Sequence, residues 1–289
     1  MVRLATASLA RTVTPDEYCQ QKAAGSGSSF YYAFLFMPPE RRRAITALYA
    51  FCREVDDAVD GVSEPQLARA KLDWWRAEIA RLYAGAPQHP VTRALAPAAA
   101  GLGVSAERLN EIVDGMQMDL EQSRYLDFKG LERYCYHVAG VVGILSAGIF
   151  GYSDPRTLQY AERLGTAFQL TNIIRDVGED ARNNRIYLPM EDLKAHGVSA
   201  ADILNARYSD AFAALMRFQA RRAESYYARA LDALPPADRR AQRPGLIMAA
   251  IYRTLLAEIE RDGFRVLDRR TALTPLRKLW IAWKTWVGA

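Results

Sequence analysis

Cysteine is scarce in this 289-residue chain: Cys19, Cys52 and Cys135 are the whole set, widely spaced and odd in number. No Cys-x-x-Cys occurs, so neither a disulfide framework nor a zinc site is expected, and a reducing cytoplasm fits best. Histidine is equally sparse. His89, His137 and His196 stand apart from one another, and no Glu-x-x-His motif is present to build a di-iron bundle. A complete Gly-x-Ser-x-Gly nucleophile elbow is missing. The run Gly25-Ser26-Gly27-Ser28-Ser29 could offer backbone N–H groups to phosphate, but it lacks the Gly-Lys-Ser/Thr ending of a nucleotide loop and follows no strand pattern. No uninterrupted apolar run reaches the ~18 residues needed to span a bilayer. The first 14 residues are rich in Ala, Ser and Thr, with Arg3 and Arg11, and lack the apolar centre of a signal peptide. Segment 1–14 therefore reads as a loose leader.

Charge is unevenly placed. From Arg261 onward seven basic residues stand against two acidic ones, an excess that equals the net charge of +5 for the whole chain. The remainder is balanced, so the basic character is local to the C-terminus and argues weakly for nucleic acid. Half of the residues are hydrophobic and a quarter charged, as in ordinary globular proteins.

Helical periodicity dominates, and strand alternation is scarce. Pro38-Pro39 opens a helix that runs to Asp60, where Gly61 stops it. Further helices are expected at about 65–84, 89–100, 105–123, 128–150, 155–182, 199–233, 236–264 and 275–287. The breaks between them are short, and no long linker divides the chain. One all-α domain is the economical architecture.

Two aspartate pairs share one spacing. Asp56 and Asp60 lie in one helical segment, Asp176 and Asp180 in another. Residues four apart occupy one helix face, so each pair projects two carboxylates the same way. They would repel unless a cation sat between them. Carboxylate oxygens suit Mg²⁺, which binds through one or two carboxylates plus substrate phosphates. Arg53 and Arg175 flank the pairs, and a guanidinium matches phosphate in a bidentate fork. Asn172 extends the second pair into a stripe, with Gln169 on the same side. A single pair would ordinarily be a solvated helix face; two such pairs with flanking Arg point to a diphosphate held through bridging metals between two helices.

Segment 139–151 carries Gly140, Gly143 and Gly148, each costing a helix up to ~1 kcal/mol relative to Ala. Small side chains permit close helix approach or leave room for a ligand. If the acidic pairs bind diphosphate, a channel for its apolar tail is the better reading. The aromatics Phe30, Tyr31, Tyr32, Phe34, Tyr49, Phe51, Tyr134 and Tyr136 could line a pocket, although most aromatics at helical spacing are core. Asp114 and Asp119, five apart, do not share a helix face and could flank a cavity or form salt bridges.

The stretches Ser29-Phe30-Tyr31-Tyr32-Ala33-Phe34, Tyr49-Ala50-Phe51-Cys52-Arg53-Glu54-Val55-Asp56-Asp57 and Tyr134-Cys135-Tyr136-His137-Val138-Ala139-Gly140 resemble the squalene/phytoene synthase family. So do Gln169-Leu170-Thr171-Asn172-Ile173-Ile174-Arg175-Asp176-Val177-Gly178-Glu179-Asp180 and Arg185-Ile186-Tyr187-Leu188-Pro189. The resemblance covers roughly residues 15–265. In texture the chain is most similar to the bacterial branch that makes presqualene diphosphate on the stepwise route to squalene and hopanoids. The resemblance implies an all-α isoprenoid-synthase bundle around a central cavity, with two or three Mg²⁺ ions and head-to-head condensation of two farnesyl diphosphates. It would place metal on Asp56, Asp60, Asn172, Asp176 and Asp180, and substrate on Ser29, Arg53, Gln169, Asn172, Arg175 and Arg185. Tyr49 and Tyr187 would stand near the reacting carbons, and Tyr31 occupies a position where some members have Ser. NADPH is not expected, and the product would pass to squalene-forming enzymes. A phytoene synthase acting on geranylgeranyl diphosphate, a full squalene or hydroxysqualene synthase, and a non-catalytic helical scaffold or lipid-binding protein are the alternatives.

Segment 266–289 is basic and Trp-rich. Trp280, Trp283 and Trp286 recur at i, i+3 and i+6, with Arg277, Lys278 and Lys284 around them. Such a stripe either caps the protein's own core or touches a membrane surface, which would make the protein cytoplasmic and peripheral on the inner face of the membrane.

Overall fold

A computed structural model describes residues 13–25, 30–60 and 64–288 of the chain. Ser29, the leader up to residue 12 and Gly61 lie outside the described residues. The side chains of Phe30 and Tyr31 likewise fall outside the description. Among the described residues there is no β-strand, only an isolated parallel bridge between Arg124 and Ile186, as an all-α class requires.

The helices are α1 (Pro15–Gly25), α2 (Phe30–Phe34), α3 (Pro39–Asp60), α4 (Pro65–Tyr83), α5 (Pro90–Gly101) and α6 (Ala106–Glu121). They continue as α7 (Phe128–Cys135), a π-helical turn (Tyr136–Gly140), α8 (Val141–Phe150) and α9 (Arg156–Arg182). The last are α10 (Met190–Ala195), α11 (Ala200–Leu204), α12 (Asp210–Ala233), α13 (Arg243–Arg261) and α14 (Pro275–Gly288). Their starts follow local chemistry. Proline stands first in α3, α4 and α5, where a missing N–H costs nothing. Ser105, Asp127 and Ser209 accept backbone N–H groups at the starts of α6, α7 and α12.

Two expected helices are interrupted. The run anticipated at 199–233 divides at 205–209, because Ser199 and Asp202 form a capping box and Ser209 caps a new helix. The run anticipated at 236–264 starts as a short 3-10 turn, Pro236–Asp238, and becomes α-helical only at Arg243. Hydrophobic period alone does not register these polar caps.

α9 is the axis of the bundle. It packs on α12, on α8 with its preceding π turn, and on α13, and buries residues around most of its circumference from Thr157 to Ala181. α3 lies across from it, in contact with α1, α5, α6 and α8. The helical run Phe128–Phe150 is long and apolar enough to cross a membrane, yet half of it is buried and it packs against α9 and α6 as a core helix. Its glycines serve close approach: a Cβ on Gly143 would lie 2.2 Å from the Ala161 carbonyl oxygen. A Cβ on Gly165 would lie equally close, 2.2 Å, to that of Ala139. Close packing therefore explains Gly143, while a cavity runs alongside.

Candidate active site

Asp56 and Asp60, from the last turns of α3, face Asp176 and Asp180, from the last turns of α9, across one polar pocket of about 550 Å³. Arg53, Gln169, Asn172, Arg175, Arg185 and Tyr187 line the same pocket. Residues more than a hundred positions apart in sequence thus converge on one space. Of the residues expected at the site, Ser29 lies outside the described residues and Tyr49 lines adjoining cavities instead.

The helix-face geometry produces the expected conflict. Burial pushes Asp56 up to about 6, and the neighbouring Asp60 pushes in the same direction. Burial likewise raises Asp180 to about 7, with Asp176 adding its repulsion. Asp176 goes the other way. Burial would raise it, but hydrogen bonds from Arg175 and Arg270 outweigh that and hold it below the usual carboxylate range. Arg53 Nη1 donates to Asp56 at 2.6 Å, and Arg185 Nη1 donates across the pocket to Asp60 at 2.9 Å. Each guanidinium thus sits where an incoming anion would compete for it.

Two further contributors were not among the residues expected to bind metal or substrate. Asp119 of α6 accepts from Tyr134 at 2.8 Å and from Tyr187 at 2.9 Å, and burial raises its carboxyl to about 6. The Tyr187 hydroxyl is therefore a fixed, neutral group on the polar side, stacked on Tyr134 and Tyr125. Asp114, by contrast, is paired with Arg76 at 2.7 Å, which answers which of the two aspartates flanks the pocket. The second contributor is Arg270. The backbone of the 263–274 connector crosses α9 at Gly178, whose N–H donates to the Val266 carbonyl at 3.1 Å. A Cβ there would meet the Leu267 oxygen at 2.4 Å, so only glycine admits the crossing that brings Arg270 onto Asp176.

The oxygen donors fit a hard divalent cation. Asn172 lines the pocket, and its Oδ1 is buried without a hydrogen-bond partner. Among the described residues no three acidic, His or Cys side chains are grouped to hold an ion by themselves. A pair of carboxylates on each wall suits a divalent ion that completes its shell with phosphate and water.

Gln169 and Asn172 also line a second cavity, of about 190 Å³, which is apolar. It runs between α3, α8, α9 and α13, past Phe34, Leu48, Val142, Leu164, Phe168 and Met248. Tyr49 lines this apolar cavity from α3, and Tyr252 lines it beside Asn172. A charged head and an apolar tail each have a place, joined at two amides.

Comparisons agree with this geometry. Residues 23–277 match the family model described as squalene/phytoene synthase. The chain is 38% identical over 275 residues to the 15-cis-phytoene synthase of Synechococcus elongatus, spanning 91% of this chain and 89% of the relative. It is 36% identical to the chloroplastic phytoene synthase of an Oncidium hybrid cultivar, of whose length it spans 65%. Among solved structures, a dehydrosqualene synthase in complex with ligand superposes with a TM-score of 0.83 at 28% identity, covering 94% of this chain and 95% of that one. Squalene synthase HpnC from Alicyclobacillus acidocaldarius gives 0.77 at 29%, covering 86% and 94%. Its acidic helices, its two-part cavity and these likenesses together show that the chain belongs to the squalene/phytoene synthase family.

Proposed function

We propose that the protein condenses two farnesyl diphosphates head to head, releasing diphosphate and forming presqualene diphosphate. The observation that carries the reaction class is the two-walled pocket of carboxylates and guanidiniums opening at Gln169 and Asn172 onto an apolar cavity. Asp56 and Asp60 on one wall, with Asn172, Asp176 and Asp180 on the other, would hold Mg²⁺. When bound, the ions neutralise the diphosphate and make it a competent leaving group.

The chain's own residues do the rest. Arg53, Arg175 and Arg185 exchange their aspartate partners for phosphate oxygens as negative charge gathers on the leaving group. Departure leaves an allylic cation at C1 of the donor. The C2=C3 double bond of the acceptor attacks it, and loss of a proton from that C1 closes the cyclopropane while the acceptor keeps its diphosphate. The apolar walls exclude water from the cation. Tyr49, on the wall of the apolar cavity, and the released diphosphate are the two candidates to take the proton. Tyr187, its hydroxyl committed to Asp119, orients the polar side.

The C15 substrate is supported by the sequence texture and by the squalene-type solved relatives. A second reading, condensation of two geranylgeranyl diphosphates, is favoured by the 36–38% identity to phytoene synthases. Product analysis with each substrate and Mg²⁺, with and without NADPH, separates them. Presqualene diphosphate from farnesyl diphosphate, unaffected by NADPH, is expected. Exclusive turnover of the C20 substrate supports the second reading, efficient squalene formation refutes the stop at the cyclopropyl stage, and no diphosphate release with either substrate removes both.

A further inference from the structure

Helix α14 leaves one face uncovered. Ala282 is fully buried, and Ile281 and Trp286 pack against the core. The sequence pattern treated Trp280, Trp283 and Trp286 as one side of the helix, but i, i+3 and i+6 spread over about 120° at 3.6 residues per turn. Trp286 turns inward and stacks on Phe36 at 5.2 Å, while Trp280 and Trp283 stack on each other at 5.1 Å outside. Leu276, Leu279, Trp280, Trp283 and Val287 share the outer arc. All are exposed, from 42% at Leu279 to 81% at Leu276. Phe36, itself 37% exposed, prolongs this surface beyond Trp286. A contiguous patch of that kind on a folded protein marks an interaction site.

Charge narrows the partner. α14 contains no acidic residue. Lys284 lies beside the apolar arc with no carboxylate partner among the described residues, and Arg277 borders it, tied on one side to Glu258. Arg243 sits over the Trp286 ring at 5.1 Å. An apolar arc with two tryptophans and a cationic margin is complementary to the headgroup layer of an anionic bilayer, where indole rings settle and Lys and Arg are drawn to the anionic headgroups. The geometry points to α14 as a membrane-docking helix: Leu276, Leu279, Trp280, Trp283 and Val287 enter the headgroup–acyl boundary of an anionic bilayer, with Lys284 and Arg277 on lipid phosphates. α2 packs against both α13 and α14, and its Phe34 lines the apolar cavity, so docking sets that end of the cavity near the lipid. Only the benefit of that placement, release into lipid of an amphiphilic product with a long apolar tail, rests on the proposed reaction.

The test is co-sedimentation of the full chain with vesicles of phosphatidylcholine alone or mixed with phosphatidylglycerol. Binding to the mixed vesicles, weakened by salt, is expected. Trp280→Glu/Trp283→Glu should cut the bound fraction about tenfold, and Lys284→Gln severalfold, with melting temperature unchanged in both. Equal binding by wild type and double variant overturns the proposal. So does a wild-type protein that ignores both vesicles yet sediments as a dimer the double variant dissociates, since a second copy then covers the patch. Vesicle binding is read without turnover, so a failed product assay leaves this result standing.

Discussion

Glu78 and Asp238, each bonded to a connection between helices, and Asp56 and Asp180, in the polar pocket, are carboxylates drawn out of bulk water, with opposite outcomes. Glu78 accepts from the backbone N–H groups of Gln88 and His89, both at 2.8 Å, from the Thr92 hydroxyl and from Arg81. Asp238 accepts from Ser153 N and Oγ, Asp154 N and the Thr157 hydroxyl, at 2.6–3.0 Å. Burial pulls both upward, but these donors win: Glu78 ends below the usual range and Asp238 at about 2. Asp56 and Asp180 meet burial plus a like charge, and end at about 6 and 7. The Asp180 carboxylate has no hydrogen-bond donor among the described residues. Burial is common to both settings; what differs is how many donors the fold supplies, four contacts each for Glu78 and Asp238 against Arg53 alone for Asp56 and none for Asp180 among the described residues. Where donors are many, the carboxylate holds loops together. Where they are few, the positive partner must arrive with the substrate.

This contrast can be broken by separating activity from stability. Asp56→Asn or Asp176→Asn should lower kcat/KM by ~10²-fold or more, with the melting temperature in EDTA unchanged or raised for Asp56→Asn. Normal Mg²⁺-dependent turnover in both variants would remove the site. Glu78→Ala should do the reverse. Stranding its four donors, the Thr92 hydroxyl buried among them, costs about 3 kcal/mol, visible as a lower denaturation midpoint, while the folded fraction turns over at the wild-type rate. A kinetic defect in fully folded Glu78→Ala would erase the distinction.

Arg270 tests the middle ground, since Asp176 has fold-supplied donors yet lies in the site. Arg270→Gln should reduce kcat/KM about tenfold, because Arg175 still engages Asp176, and melting should hardly move. The smallest effect under ordinary conditions concerns acid. The folded-state pKa of Asp238 lies below that of an unfolded aspartate, so the stability it confers is complete above about pH 4 and is lost as pH falls towards 2. Asp238→Asn should therefore flatten the fall in melting temperature across that window; an unchanged acid limb would show that its hydrogen bonds carry no net stability.

Much of the site could be read from spacing. Asp56 with Asp60, and Asn172, Asp176 and Asp180, share helix faces through i, i+4 geometry, and the structure places both sets on one pocket. Asp119 could be found only as a possibility, because nothing near it in sequence announces Tyr134 or Tyr187. Arg270 was visible only as one of several C-terminal cations, and its partner Asp176 lies 94 residues away. The helices expected at 199–233 and 236–264 failed in detail where polar caps at Ser199 and Ser209, and the 3-10 turn after Pro235, interrupt an apolar period that otherwise continues.

The sequence by itself determined the all-helical class, the facing of each aspartate pair and the family, because each depends on residues within a turn or two of one another or on short runs. Only the tertiary structure decided that the two acidic faces oppose each other, that Gly178 lets the C-terminal connector lay Arg270 on Asp176, and that Trp286 turns inward while Trp280 and Trp283 stay outside. A helix repeat fixes direction relative to its own axis alone. Which neighbour a face meets depends on packing between segments distant in sequence, and no local spacing carries that information.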